Sequence, residues 1–92
     1  MATYIMLGKY TQDALKGISS DRTKKAMAAV EKLKGKVNSM YVLMGRFDLL
    51  INADFPDNKA ALKASVELAK MTGIGFSSSP AIAVEEFDKL VG

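Results

Sequence analysis

Cysteine, histidine and tryptophan are all missing from the 92 residues, and only two prolines are present. Without cysteine there is no disulfide framework, which fits a reducing compartment, and a cytoplasmic address is expected. Without histidine or cysteine the usual zinc sites, histidine-ligated haem, Ser-His-Asp triads and Cys-His dyads are excluded. Any catalysis would fall to Asp, Glu, Lys, Tyr or Ser. No metal-ligand set emerges, and nothing in the pattern names a cofactor. No apolar run approaches the roughly 18 residues that a membrane span needs, and no basic segment followed by an apolar signal core opens the chain. Gly/Ser/Pro tracts and like-charge blocks are absent too, so order is expected nearly throughout.

What is present is ordinary globular composition, 49% hydrophobic and 25% charged, in a length that suits one domain over residues 1–92. The formal net charge is +3, but lysines alternate with acids along Lys9, Asp13, Lys16, Asp21, Arg22, Lys24 and Glu31. A phosphate-tracking surface wants its cations on one face, so nucleic acid is not an expected partner. A domain this small leaves much of its surface wet, and self-association is the natural way to cover an extra apolar face.

Thr3 to Tyr10 reads as a strand with apolar groups on both parities, Ile5 and Leu7 on one and Tyr4 and Met6 on the other. Thr11 to Ile18 reads as a short helical connector. Ser20 or Asp21 is the expected cap of a first main helix whose stripe is Ala26, Met27, Val30 and Leu33, with Gly35 as its left-handed terminator. Lys36 to Met44 and Phe47 to Phe55 form a hairpin about Gly45 and Arg46. After Pro56, Asp57 caps a second helix with Ala61, Ala64, Leu68 and Met71 inward and Gly73 at its end. Ile74 to Val84 is a fourth extended stretch, and Pro80 within it marks an edge or a bulge. Glu85 to Leu90 closes as a short helix. The order is βαββαβ. This predicts an α+β, ferredoxin-like domain: an antiparallel four-stranded sheet with two helices on one face.

That arrangement leaves one sheet face bare. A hairpin pairing Met44 with Phe47 sets Leu43 opposite Asp48, Tyr41 opposite Leu50 and Ser39 opposite Asn52 on that face. Leu49, Ile51, Ala53 and Phe55 then point to the helices. Ile5 and Leu7 are expected to join them, leaving Tyr4, Met6, Gly8 and Tyr10 on the open side. An apolar face of this kind calls for a partner sheet. The covered space, with Tyr4, Met6, Tyr41, Asp48 and Asn52 as its candidate ligand-binding residues, is the expected site.

Other chemistry fits less well. Asp48 and Asp54 lie six residues apart on one strand, roughly 20 Å at about 3.3 Å per residue, too far to act as a carboxylate pair. Gly73-Ile74-Gly75 before Ser77-Ser78-Ser79 lacks a Walker lysine and follows a helix where a phosphate loop precedes one. The RNA-recognition module shares the element order, but its third strand carries a basic and aromatic signature where this chain has Phe47-Asp48-Leu49-Leu50-Ile51-Asn52.

At the hairpin turn, Gly45-Arg46-Phe47-Asp48 resembles the motif that names the GYD domain family of small bacterial and archaeal proteins. Lys9-Tyr10-Thr11, Arg22, Gly35, Pro56, Thr72-Gly73 and Phe87 are similar in co-linear order, so the resemblance spans essentially the whole chain. It implies a ferredoxin-like fold of the dimeric α+β barrel type. A similar hairpin occurs in the effector-binding domain of leucine-responsive transcription regulators, where small molecules bind at subunit interfaces. Phe47 stands where the motif has tyrosine, and Ala14 where the family pattern suggests glycine. A DNA-binding helix-turn-helix is not expected beside the barrel within these 92 residues. The leading expectation is a homo-oligomeric small-molecule-binding or sensing module with itself as partner. The alternatives are a cofactor-independent enzyme, of monooxygenase or isomerase type, using Asp48, Asp54, Lys9 or a tyrosine, and a structural or protein-interaction unit.

Overall fold

Leu49–Phe55 alternates buried and half-buried side chains without exception, as a strand does when one face is packed and the other is nearly covered. This strand, β3, sits in the middle of a sheet whose order is β2-β3-β1-β4, with β1 at Ala2–Lys9, β2 at Lys36–Val42 and β4 at Gly75–Ala81. All three strand pairs are antiparallel. Four helices complete the computed structural model, which describes residues 1–92: α1 at Gln12–Lys16, α2 at Ser20–Lys32, α3 at Asn58–Thr72 and α4 at Val84–Val91. The fold is ferredoxin-like, α+β, and α2 and α3 supply its helical layer. No helix is long and apolar enough to cross a membrane.

Side-chain caps set the starts of α2 and α3. The N-H of Arg22 donates to Ser19 Oγ at 3.0 Å, so Ser19 caps α2, one residue before the expected Ser20. Asp57 caps α3 as expected, accepting from the Ala60 N-H at 2.8 Å, and Gly73 ends α3 in the left-handed region at φ 77°. At the end of α2 the left-handed residue is Lys34, φ 64°, and not Gly35. Pro80 lies on β4, which is an edge strand as its proline requires.

The hairpin register is the expected one, with Tyr41 opposite Leu50 and Ser39 opposite Asn52. The turn is wider than two residues: regular pairing stops at Val42 and Leu49, and the Leu43 N-H still donates to the Asp48 carbonyl at 2.8 Å. Toward the other end of β2 the register shifts between Val37 and Ser39, so Asn38 is an extra residue bulged out of the ladder.

The core contains Met6, Val30, Leu49, Ile51, Ala53, Phe55, Ala61, Ala64 and Leu68, sandwiched between sheet and helices. Here β1 corrects the sequence reading. Tyr4 pairs with Ala53, Met6 with Ile51 and Gly8 with Leu49, and paired residues share a face. Tyr4 and Met6 therefore lie under the helices, 4% and 0% exposed, and Ile5 and Leu7 occupy the open face. Because β1 is apolar on both parities, alternation could not choose between them; the register against β3 does. Tyr10 likewise packs against the core and not on the open side.

Candidate functional site

Three β-strands present one connected patch on the open face. Ile5 and Leu7 come from β1, Leu50, Asn52 and Asp54 from β3, and Ser39 and Tyr41 from β2. The apolar end is Leu7, Leu50 and Tyr41, the last 60% exposed. The polar end is a hydrogen-bonded cluster. The Thr3 hydroxyl donates to Asp54 Oδ1 at 2.8 Å, and the bulged Asn38 amide donates to both Asp54 Oδ1 at 3.0 Å and Asn52 Oδ1 at 3.3 Å.

The Thr3 hydroxyl, then the Asn38 amide, hold the Asp54 carboxyl below the usual carboxylate range, with Lys36 and the N-terminal ammonium adding to the effect and partial burial opposing it. Because the folded state favours the ionised form, the stabilisation is complete at neutral pH and is lost as pH falls through the depressed value. At neutral pH the site carries a fixed negative charge beside two amides, which suits donors on a ligand.

Tyr41 and Asn52 are thus on the open face, as expected, and Asp48 is at its rim. Asp48 is committed to the backbone. Its Oδ2 accepts from the Tyr10 N-H at 2.9 Å and lies 3.7 Å from Lys9 Nζ, while its own N-H donates to the Gly8 carbonyl at 2.8 Å. One aspartate therefore fastens the end of β1 to the hairpin. Gly45, at φ 134°, turns the chain there, and the Arg46 guanidinium stands 5.8 Å from the Phe47 ring centre beyond the sheet end. Tyr4 and Met6 are not brought together with Tyr41 and Asn52. The Tyr4 hydroxyl donates to Asn58 Oδ1 on the helical side, and Met6 is enclosed in the core.

Replacing Asp48 with Ala should cost about 1–3 kcal/mol, because the Tyr10 N-H loses its acceptor, whereas Asp48→Asn should cost less than about 1 kcal/mol because an amide oxygen still accepts it. Urea unfolding of the two variants measures the difference; equal stability of Asp48→Ala and the parent would remove the fastening role.

The sequence profile of the GYD domain matches residues 4–91, nearly the whole chain. The chain belongs to the GYD domain family. The aspartate at the turn of this GYD domain now has a structural task, and the phenylalanine that replaces the motif tyrosine lies next to it. No curated protein matches the sequence. Among solved structures, the domain is similar to a protein named FFRP-DM1, with 25% identity over 89% of this chain and 100% of that one and a TM-score of 0.63. It is also similar to the leucine response regulatory protein LrpA of Mycobacterium tuberculosis, at 11% identity and TM-score 0.59, and to an AsnC family transcriptional regulator from Agrobacterium tumefaciens, at 19% identity and TM-score 0.59. The GYD domain is covered to 89% in both alignments but spans only about half the length of these two regulators, 51% and 50%. The likeness to them is one of fold.

Sequence reasoning missed Thr3 and Asn38. Thr3 was hidden by the inverted parity of β1. Asn38 was hidden because a bulge leaves no signature in alternation, although an asparagine interrupting an otherwise apolar-polar strand is the one available hint.

Proposed function

We propose that this GYD domain is a self-associating small-molecule-binding module, cytoplasmic, in which two copies bring their open sheet faces together and hold a ligand between them. The observation that carries the reading is the uncovered face itself, where Ile5, Leu7 and Leu50 adjoin the Asn52-Asp54-Asn38 cluster. A purely apolar face would suit packing alone, and a purely polar one would need no cover. The α4 helix adds support: none of its residues is buried, and Val84, Phe87, Leu90 and Val91 are all exposed. A second copy could cover both surfaces. One structural relative is named for its response to leucine, so amino acids are the first ligands to try.

An enzymatic role is less well supported. Asp48 is occupied by Tyr10 and Lys9, and a carboxylate held below its ordinary range, as Asp54 is, is a weak general base.

Sedimentation velocity at micromolar concentration should give a dimer or larger species, and Leu50→Lys should give a monomer by placing a charge in the joined faces. In thermal unfolding with a panel of amino acids and related metabolites, at least one compound at about 100 times its Kd should stabilise the parent by about 2.7 kcal/mol. A monodisperse monomer for the parent protein would falsify the paired-face reading.

A further inference from the structure

On the other side of the sheet, a cavity of about 210 Å³ opens between the first turns of α2 and the end of edge strand β2. Its floor is Leu49, Ile51, Leu68 and Ile74, all buried. Eleven of its fifteen lining residues are hydrophobic, which makes it a place for an apolar body. An apolar cavity of roughly 150 Å³ already accepts a benzene-sized guest, so this one has room for a little more.

The rim differs from the floor. Arg22 stands there, half-buried, with its guanidinium 6.0 Å from the centre of the Tyr10 ring and Nη1 donating to the Ala14 carbonyl at 2.6 Å. A guanidinium carries five N-H donors, and this is the one hydrogen bond its side chain makes. No acid of the chain pairs with it, since the only ion pair is Lys9 with Asp48. A partly desolvated cation without an anion is costly in isolation and is relieved by a carboxylate, which meets a guanidinium two-pronged. The exposed Ser19 and Thr23 share the rim.

We propose that this cavity is a binding site for a small monocarboxylate with an apolar tail, the tail lying on the Leu49-Ile51-Leu68-Ile74 floor and the carboxylate on Arg22. The site is built within one copy of the chain, on the helical side of the sheet, and shares only Tyr41, at the β2 edge, with the open face; its occupation does not require a second copy.

Octanoate is the probe, with octanol and octylamine as controls of matched length, and methyl-labelled protein reports where each binds. Octanoate should produce saturable shifts at Leu68, Ile51 and Ile74, and leave Ile5 and Leu50 on the open face unmoved. Octanol and octylamine should bind at least about tenfold more weakly, the size of effect one charge-assisted contact gives. Arg22→Gln should weaken octanoate by about tenfold, bringing it level with octanol, and Ala26→Leu, which fills the cavity, should abolish both. Circular dichroism confirms that each variant is folded; the comparison of the three probes on the parent protein stands without them.

Equal affinity for octanoate and octanol, or no saturable shift at millimolar octanoate, overturns the proposal. Shifts confined to Ile5 and Leu50 overturn it too and leave the between-copy reading intact. A monomeric protein that shows shifts at the floor methyls does the reverse.

Discussion

Phe55→Ala is expected to remove about 3–5 kcal/mol of stability, a large part of the roughly 5–15 kcal/mol that holds a domain together. Phe55 ends β3 with no exposed surface. Its ring meets Tyr4 edge to face, with centroids 5.8 Å apart and planes at 69°, and its other side lies under the backbone where α2 gives way to β2. Removing the ring leaves a void that neither neighbour can fill, since the Tyr4 hydroxyl is tied to Asn58 on α3 and the chain at Gly35 has no side chain to lend. The urea midpoint should fall sharply with an unchanged slope, as for a cavity that leaves the extent of unfolding the same. Phe55→Leu should recover more than half of the loss. An unfolding free energy for Phe55→Ala within about 1 kcal/mol of the parent would mean that the helical layer collapses into the gap, and that this corner is not rigid.

The same residue shows which parts of the fold were legible in the sequence. β3 reads correctly because its buried set, Leu49, Ile51, Ala53 and Phe55, alternates with Leu50, Asn52 and Asp54, and two of those three are polar. The hairpin register followed from it, and with the register the positions of Tyr41 and Asn52. β1 has no such contrast. Tyr4, Ile5, Met6 and Leu7 are apolar in a row because β1 lies between β3 and β4 and both its faces are at least half-covered, so the choice of face depends on long-range pairing that no local pattern contains. The candidate site inherits that ambiguity: alternation alone assigns Tyr4 and Met6 to it and leaves out Thr3, whereas the β1–β3 register does the opposite. The Arg22 cavity was legible only as an arginine near the start of a helix, since the gap beside it depends on how far α2 fails to cover β2.

Gly35→Ala is expected to cost about 1–3 kcal/mol although Gly35 sits in a short connection, because even one methyl group there overpacks the core. A Cβ at this position would stand 2.6 Å from Phe55 Cε1 and 2.9 Å from Val30 Cγ1, and both partners are buried and unable to yield. The sequence suggests a different reason for this glycine, a left-handed end to α2, but Lys34 holds that conformation at φ 64°. The Gly35 N-H donates to the Val30 carbonyl at 3.0 Å and the Lys34 N-H to the Glu31 carbonyl at 2.9 Å, the pair of bonds that closes a Schellman end with residue 34 in the left-handed position. The two explanations separate by experiment. If Gly35 is there for space and Lys34 bears the backbone strain, Lys34→Gly should stabilise the domain by about 0.5–1 kcal/mol, the left-handed cost relieved less the entropy that glycine brings, while Gly35→Ala destabilises it. Were backbone freedom at residue 35 the requirement instead, Lys34→Gly would bring no gain, and Gly35→Asn, which tolerates the left-handed region, would be milder than Gly35→Ala. The close approach of Phe55 predicts the opposite order, with the larger asparagine the more damaging of the two.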